Sequence, residues 1–388
     1  MPPRAIPPLL KRLNEQTVFD ALREGAPISR AEISRRAGIS KPTVSVALQS
    51  LVDAGLVREA ALDARRPSFG AVYFEPVAEA ALVLGVDVGA RFLRAAICDL
   101  GGRVRARQDV EVDGAGAQRA VDAIGALRES LVAATGLADE LLDSAVVGVP
   151  GVVEPDGETI RLAENVAGLE GTRFAAEVRE RLGLSVTLEN DTNLAALGEH
   201  WRGIARGVDN FVFLSVGTGL GAGLVLRGEL HRGHHGAAGE VDFVAAGLNE
   251  ELDPSGAALA ALAERVVARD GAGTMLSPPL DARDVFAAAR AGDRVARELV
   301  AEEARRIALH IAPIAAVADV GLVVLGGGIG TNADLLLDAV RRSLRDWLPY
   351  PPRVAVSTLG DAAILTGTLS VGLRAALENV FANRAARA

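Results

Sequence analysis

Glycine turns that directly follow apolar strands are the first features of this sequence that could do chemistry. Two segments repeat the pattern: Leu82–Gly89 followed by Phe92–Ile97, and Phe211–Gly221 followed by Leu224–Leu226. Each is a glycine hairpin and not a dinucleotide fingerprint, because no helix follows the glycines directly. Converging backbone N–H groups in such a turn can hold phosphate. Two of these hairpins, each at the head of an α/β lobe, predict a duplicated fold that binds nucleotide between its lobes.

Three other stretches place turns or polar groups at the ends of predicted strands. Val146–Gly151 is typical of a core strand that runs into a turn, and Val323–Gly330 of a buried strand that enters a glycine turn. Leu188–Asn193 ends a strand with polar groups, just before a helix predicted over Leu194–Gly203. These stretches strengthen the phosphate-binding prediction for Gly217–Gly223, which alone is a weak signal.

Near the N-terminus, three helices are predicted in quick succession. The first covers Gln16–Glu24. The second starts at a capping box, Ser29–Glu32, in which the hydroxyl bonds the glutamate N–H and the carboxylate reaches back. A left-handed residue at Gly38 closes this helix. Ser40 caps the third helix, and Pro42 occupies its first turn, where a missing N–H does no harm.

The third helix has one apolar and one small, mostly uncharged face. By 3.6-residue periodicity, the residues that pack inward are Val44, Ala47, Leu48, Leu51 and Val52. The outward face suits a helix that lies in the major groove of DNA. The residues predicted to contact DNA from this helix and its cap are Ser40, Lys41, Thr43, Ser45, Val46 and Gln49. Gln49 could pair with an adenine edge, and Val46 could meet a thymine methyl group.

A basic hairpin follows this helix. Leu56–Arg58 begins a strand, Arg65 and Arg66 lie in the loop, and Val72–Phe74 forms the return strand. Together with the three helices, this hairpin predicts a winged helix-turn-helix. The two loop arginines, like Lys41, are better suited to phosphate than to base contacts. The alternative is a small helical module that docks protein through a solvated basic face.

The charge distribution favours the DNA-binding alternative. The net charge of the 388 residues is −9, but residues 1–70 carry eleven basic and seven acidic side chains, a net of +4. The remainder is therefore −13. A basic module on an acidic body is typical of a protein of which one part touches phosphates.

Composition restricts the other possibilities. A single cysteine, Cys98, excludes an intramolecular disulfide and a multi-cysteine metal site. The N-terminal residues lack the apolar core of a signal peptide. The apolar stretch Ile311–Ile329 contains Pro313 and Asp319 and is predicted to be a buried helix that runs into a core strand. We therefore expect a cytoplasmic protein with no membrane partner.

The combined motifs resemble the ROK family of repressors, open reading frames and sugar kinases, in particular its regulator branch, typified by xylose repressors. The resemblance rests on Glu189–Asn193 followed by Ala195–Glu199, on Gly217–Gly223 and on Gly236–Glu240. It implies an α/β fold in which a winged helix-turn-helix precedes a two-lobed, actin-like ATPase (duplicated ribonuclease H-like) sugar-kinase body. The implied boundaries are 1–75 for the DNA-binding domain, 76–81 for a linker, 82–190 for the first lobe and 191–388 for the second. The C-terminal helix could return to the first lobe.

The resemblance also implies roles for individual residues. In the kinases of the family, the residue at the Asp191 position removes the proton of a sugar hydroxyl that attacks the γ-phosphate. Sugar hydroxyls would be held by Asn165, Asn190 and Glu240, with His235 on a loop that faces the ligand. Remnants of the nucleotide-binding turns would be Asp87, Gly89, Gly217, Thr218, Gly219, Gly326 and Gly327.

The sequence departs from the kinases of the family at four points. The leading hairpin has Ala90 and Arg91 in place of glycine and threonine, although Arg91 could itself clamp phosphate. Phe243 replaces the histidine that contacts sugar and zinc, and residues 244–256 contain none of the zinc-binding cysteines. A DNA-binding module precedes the body, unlike in free-standing kinases. We therefore expect no zinc or other metal. ATP–Mg²⁺ would bind only if kinase activity persists.

These departures predict a regulator, and more specifically a repressor, that binds a sugar or related effector without turnover. Its expected partners are double-stranded operator DNA, the effector and a second copy of the chain, because paired recognition helices must meet two half-sites. The first alternative is a bifunctional regulator that still phosphorylates a sugar with Asp191 as base. The second is an interaction module whose winged helix binds protein.

Overall fold

The computed structural model describes residues 7–60, 71–112, 116–163, 166–242, 252–270 and 273–385. The winged helix occupies the first of these ranges and the beginning of the second. Its elements are α1 (Pro7–Gly25), β1 (Ile28–Ser29), α2 (Arg30–Ala37), α3 (Lys41–Asp53), β2 (Val57–Glu59) and β3 (Tyr73–Pro76). The three strands form an antiparallel sheet of order β1-β3-β2.

Helix α1 is longer than the sequence pattern predicts. It begins at Pro7, nine residues before the predicted start at Gln16. The first half of this helix has no row of apolar residues that faces the core, since Leu10 and Leu13 are both exposed. The periodicity of apolar residues therefore could not detect it. An ion pair between Lys11 and Glu15, one turn apart, supports this half instead.

Only one half of the predicted capping box forms. Ser29 Oγ accepts a hydrogen bond from the Glu32 N–H at 3.3 Å, as predicted. The Glu32 carboxylate does not return to Ser29, because Arg36, one turn further along, donates to it at 2.7 Å. Gly38 ends α2 with a left-handed φ of 66°, and Ser40 Oγ caps α3 by accepting from the Thr43 N–H.

The body consists of two α/β lobes, each with a five-stranded sheet. The first lobe contains β4 (Leu82–Val88), β5 (Phe92–Asp99), β6 (Val104–Glu111), α4 (Ala117–Thr135), β7 (Leu142–Val149), β8 (Val152–Val153), β9 (Ile160–Arg161), α5 (Arg173–Leu182) and β10 (Ser185–Asn190). Its main sheet has the order β10-β7-β4-β5-β6, with β10, β7 and β4 parallel.

The second lobe repeats this plan with more helices. It contains α6 (Asp191–Arg202), β11 (Phe211–Val216), β12 (Leu220–Leu226), β13 (Glu229–Leu230), α7 (Gly256–Asp270), α8 (Ala282–Arg290), α9 (Arg294–Ala318), β14 (Leu322–Gly326), α10 (Gly327–Gly330), α11 (Ala333–Trp347), β15 (Arg353–Val356) and α12 (Ala363–Ala385). The sheet order is β13-β12-β11-β14-β15, in which β11, β14 and β15 are parallel. In the part of the chain that the structure describes, no helix is long and apolar enough to cross a membrane.

Helices α6 and α12 lie against each other between the two sheets. A Cβ placed at Gly198 would lie 2.2 Å from the Ala363 carbonyl oxygen, and one at Gly367 would lie 1.9 Å from that of Leu194. The two helix backbones therefore touch. The pair also packs on both sheets, since Leu194 contacts Gly148 of β7 and Ala196 packs with Phe213 of β11.

The winged helix shares its hydrophobic core with the body. One apolar cluster joins Phe19 and Leu51 of the winged helix to Val83 and Cys98 of the first sheet and to Leu373 of α12. The segment predicted as a linker is part of this contact. It forms a 3₁₀ turn over 78–80, and the Ala78 carbonyl accepts from the Leu100 N–H at 2.9 Å.

The close crossing of α6 and α12 predicts the effect of one methyl group. Gly198→Ala should destabilise the protein by about 2–3 kcal/mol, because its Cβ would overlap a backbone oxygen that cannot move alone. Gly321→Ala is the matched control, since a Cβ there meets nothing within 4 Å. Thermal and urea denaturation of both variants measure the difference. Equal stabilities would contradict the tight crossing.

Candidate effector cleft and DNA-binding surface

Helix α3 presents the predicted DNA-binding face to solvent. Lys41, Ser45, Val46 and Gln49 are exposed, and Val46 is 66% accessible although it is apolar. Gln49 Nε2 donates to Asp53 Oδ1 at 2.8 Å, so the amide would exchange this partner for a base edge.

The polar atoms at the start of α3 support the helix itself. Ser40 Oγ lies 2.7 Å from Thr43 Oγ1 and caps the helix, which leaves Lys41 as the free polar group of the first turn in the described structure. Arg65 and Arg66, predicted to contact phosphate, lie outside the described residues.

The cleft between the lobes is built at the junction of β10 and α6. Asn190 Oδ1 caps α6 by accepting from the Asn193 N–H at 2.9 Å, and its Nδ2 donates to the Gly151 carbonyl at 2.9 Å. Both functional atoms of the Asn190 amide are thus used to fix the turn that follows β7. The structure assigns Asn190 a positioning role beside the predicted sugar contact.

Asp191 occupies the first position of α6 and faces a second carboxylate. Its Oδ1 accepts from the backbone N–H and the hydroxyl of Thr192, at 2.6 and 3.1 Å. Burial raises the pKa of Asp191. Burial also raises the pKa of Glu240, and the negative charges of Asp191 and Asp242 raise it further. Two half-buried carboxylates near one another have the chemistry to accept hydrogen bonds from hydroxyl groups.

The segment that carries Glu240 crosses from one lobe to the other. Gly236, at φ 81°, lies against the Val153 carbonyl of β8, where a Cβ would come within 2.2 Å. Gly239, at φ 102°, lies against Ala222 of β12, and its carbonyl accepts from the Ala222 N–H at 2.9 Å. These two glycines hold the segment that carries Glu240 against both lobes because no side chain fits at either point.

His235 lies on the exposed part of this segment. Its ring packs edge-on against the ring of His234, with centroids 4.5 Å apart. The structure therefore places His235 near the cleft but gives it no contact with Asp191 or Glu240 among the described residues. Asn165 and Phe243 lie outside those residues.

A buried network beneath the cleft was missed by the sequence analysis. Glu189 is 5% exposed and accepts from Arg232 Nε at 2.7 Å, from Asn193 Nδ2 and from the Asn190 N–H. It ties the start of α6 to the segment that carries Glu240. The available signal was an acidic residue next to Leu188 in the part of the strand that precedes the polar groups.

The leading hairpin contains a second feature that the sequence analysis missed. Asp87, 2% exposed on β4, accepts from Arg94 Nη1 of β5 at 3.1 Å. Arg94 also lies 3.8 Å from Asp109. Burial, opposed by Arg94 and reinforced by the charge of Asp191, raises the pKa of Asp87 to about 7. A basic residue within the apolar strand Phe92–Ile97 was the signal for this pair.

The glycine turns of the second lobe lie side by side. Strands β11 and β14 are parallel neighbours, with Ser215 opposite Gly326, so their following turns meet. A Cβ at Gly217 would lie 3.4 Å from the Gly328 nitrogen, and one at Gly327 would lie 2.3 Å from the Val216 carbonyl. Thr218 is exposed, and Gly219 O accepts from the Gly217 N–H at 3.0 Å. Backbone can approach a ligand closely here.

The residues that follow 243–251 pack against a row of polar side chains on α9. Arg306 Nη1 donates to the Asp253 carbonyl at 3.2 Å, and His310 Nε2 lies 3.2 Å from the Leu252 carbonyl. Arg306 is also within 3.8 Å of Glu303, and burial raises the pKa of that carboxyl to about 8. Among the described residues, no three His, Cys, Asp or Glu side chains are grouped as metal ligands.

The architecture and the cleft define a class: a DNA-binding winged helix carried on a two-lobed sugar-kinase-like body. The chain belongs to the ROK family, because residues 83–373 match the model of that family. Residues 14–66 match the MarR family. The resemblance predicted from the sequence, including its regulator branch, is confirmed, as is the predicted fold class.

Three similarities illustrate this membership. The chain is 24% identical over 383 residues to the xylose repressor of Caldicellulosiruptor bescii, covering 94% of this chain and 96% of that one. It is 30% identical over 311 residues to the glucokinase of Streptomyces coelicolor, covering 74% and 96%. The crystal structure of a ROK family transcriptional regulator, a homologue of the E. coli MLC protein, superposes with a TM-score of 0.80 at 22% identity, covering 98% and 100%.

The buried Asp87 predicts a pH-dependent difference in stability. Its raised pKa means that, between pH 4 and pH 7, the unfolded chain releases this proton while the folded chain keeps it. Rising pH therefore favours unfolding until the folded carboxyl also ionises near pH 7. We expect the stability of Asp87→Asn relative to wild type to increase by about 2–4 kcal/mol over this range and to level off above it. Urea unfolding of both proteins at pH 4.5, 6 and 8 measures the difference; a pH-independent one contradicts the assignment.

Proposed function

We propose that this protein is a sugar-responsive, DNA-binding transcriptional repressor whose body binds a carbohydrate without phosphorylating it. The observation that carries the proposal is the Asp87–Arg94 pair in the hairpin that the kinases of the family use for phosphate. The exposed face of α3 and the full-length similarity to a xylose repressor support the regulatory part.

The DNA-binding part rests on shape and charge. Helix α3 offers short side chains and one lysine, so it can enter a major groove and approach base edges. A homodimer would place two such helices on one face of the DNA, matched to two half-sites about one helical turn apart. Double-stranded operator DNA is therefore the proposed macromolecular partner.

The effector part rests on the carboxylates of the cleft. Asp191 and Glu240 accept hydrogen bonds and offer no donors when ionised, so they select a ligand that is rich in hydroxyl groups. A sugar bound between the lobes would stabilise the arrangement in which both carboxylates reach it. The sugar changes the affinity for DNA only if the winged helices bind DNA better in one of the two arrangements of the lobes. A pentose such as xylose, or a hexose such as glucose, is the proposed class of effector.

Several features argue against turnover. A phosphate-bound Mg²⁺ needs an ionised carboxylate near it. At Asp87 the place beside the carboxylate is already taken by the cationic side chain of Arg94. The residues present therefore do not fit an Mg²⁺–ATP site at this hairpin. Arg91 does not point to a phosphate-clamping role either, since its Nε donates to Glu111 at 2.8 Å on the exposed surface.

A bifunctional repressor that retains kinase activity is the second candidate. It is favoured by Asp191, which keeps the position of the catalytic base and accepts from Thr192 through Oδ1, so that Oδ2 has no hydrogen bond from another side chain in the described structure. An assay that couples ADP release to a panel of pentoses and hexoses separates the two candidates. Turnover that disappears in Asp191→Asn would overturn the proposal.

The cleft predicts how a single carboxylate contributes to sugar binding. Glu240→Gln should weaken the binding of the best sugar at least tenfold, because an amide replaces a half-buried carboxylate that accepts from hydroxyls. Glu180→Gln, an exposed residue of α5, is the matched control. Isothermal titration measures both affinities. Equal binding by both variants would place the sugar elsewhere.

The first turn of α3 predicts the salt dependence of DNA binding. Lys41→Ala should weaken binding several-fold on all sequences and reduce the slope of log K against log salt by about 1, because one phosphate contact is lost. Lys11→Ala removes the other lysine of the chain, on α1, and should leave the slope unchanged.

Gln49→Ala should instead alter base preference. Fluorescence anisotropy with the promoter of the gene itself measures all three; unchanged binding in Lys41→Ala and Gln49→Ala would refute this interface.

A further inference from the structure

A cavity of about 440 Å³ lies where the winged helix meets the body. Helix α1 contributes one wall, and α6 and α12 contribute the others. The residues that line it are Gln16, Asp20, Arg23, Glu24, Gly101, Leu197, His200, Trp201, Arg202, Arg206, Ser370, Arg374 and Leu377. The cavity lies at the opposite end of α6 from Asp191, about 17 Å along the helix axis.

The cavity concentrates positive charge on a protein whose body is acidic. Four arginines line it against two carboxylates, those of Asp20 and Glu24. Asp20 pairs with Arg23 at 3.2 Å. Within the described residues, no carboxylate lies within ion-pair distance of Arg202 or Arg206. Glu229 pairs with Arg374 at 3.6 Å from outside the lining. The cavity and this carboxylate together therefore carry an excess of one positive charge even with His200 neutral, and Arg202 and Arg206 are the lining arginines without an acidic partner in the part of the chain that the structure describes.

The basic groups also perturb one another. Burial lowers the pKa of Arg202, and the charge of Arg23 lowers it further, against the opposing effects of Cys98 and Asp99. Burial lowers the pKa of His200, and the charge of Arg374 acts in the same direction, against the opposing charges of Asp209 and Glu229. Cations from all three walls thus face a common space, and each would be stabilised by an anion placed there.

The geometry of the arginines favours one class of anion. The Arg202 guanidinium lies 4.0 Å from the ring of Trp201 and donates to the Gly102 carbonyl at 2.6 Å, so its plane is held. Guanidinium groups fixed in this way bind phosphoryl oxygens with two parallel hydrogen bonds. The volume is sufficient for a phosphoryl group together with a small organic part.

We propose that this cavity binds a small phosphorylated anion that bridges the winged helix and the body. Because its walls belong to both domains, such an anion stabilises their present arrangement and is thermodynamically linked to DNA binding. Helix α6 also begins at the sugar cleft, so the two ligands act on the same element. The link to DNA rests on the proposed function, but binding of the anion does not.

The test begins with direct binding to the full-length protein without DNA. Inorganic phosphate and glycerol 3-phosphate are titrated by calorimetry at constant ionic strength, with chloride and glycerol as the matched controls. The double variant Arg206→Gln/Arg374→Gln should weaken phosphate binding at least tenfold, whereas Arg342→Gln, an exposed arginine of α11, should not change it. Glu240→Gln should also leave phosphate binding unchanged, because the sugar cleft is a separate site.

Tighter binding of glycerol 3-phosphate than of phosphate identifies a phosphorylated metabolite as the ligand; equal binding identifies phosphate itself.

Binding that is absent, or that survives in the double variant, overturns the proposal. The second measurement is the affinity for promoter DNA with and without saturating phosphate at fixed ionic strength. A shift of at least threefold in wild type that is lost in the double variant supports the bridging role. A shift that chloride reproduces shows screening only and overturns that role. Failure of DNA binding under all conditions would refute the proposed function while leaving the calorimetric result intact.

Discussion

The contact on which the rest of this structure depends is the crossing of α6 and α12. Their backbones meet at Gly198 and Gly367, where a methyl group would overlap a carbonyl oxygen of the opposite helix. This closeness lets one pair of helices fit between two sheets and pack on both. Because α6 begins with Asp191 in the cleft and ends at Arg202 beside the winged helix, a single rigid element spans the distance between the two binding regions.

Electrostatics give this cleft a specific charge pattern. Asp87, Asp191 and Glu240 bring three carboxylates into one partly buried region, and the charge of Asp191 raises the cost of ionising the other two. Arg94 offsets part of this cost at Asp87 by supplying a covalently attached cation. A built-in cation stabilises the cleft in the absence of ligand, whereas a metal would do so only when bound.

The winged helix is packed onto the body and not tethered to it. Phe19 and Leu51 belong to the same apolar cluster as Val83 and Leu373, and Arg12 donates to the Glu378 carbonyl of α12. A rearrangement of the lobes that moves α6 or α12 must therefore be accommodated at this junction.

The sequence by itself determined the local and family-level features. Helix caps, glycine turns and apolar periodicity depend on neighbours within one turn, so Ser40, Gly38 and the buried face of α3 were predictable. The family motifs likewise identified the body and its regulator branch. Only the tertiary structure decided that Glu32 accepts from Arg36, that the Asn190 side chain donates to the Gly151 carbonyl, and that Arg94 donates to Asp87. The same holds for the cavity formed by α1, α6 and α12. Most of these contacts join residues that strand pairing or helix packing brings together. The Glu32–Arg36 pair is the exception, because there one carboxylate has two possible partners at a similar distance along the chain. Neither the pairing nor the choice is encoded in spacing along the chain.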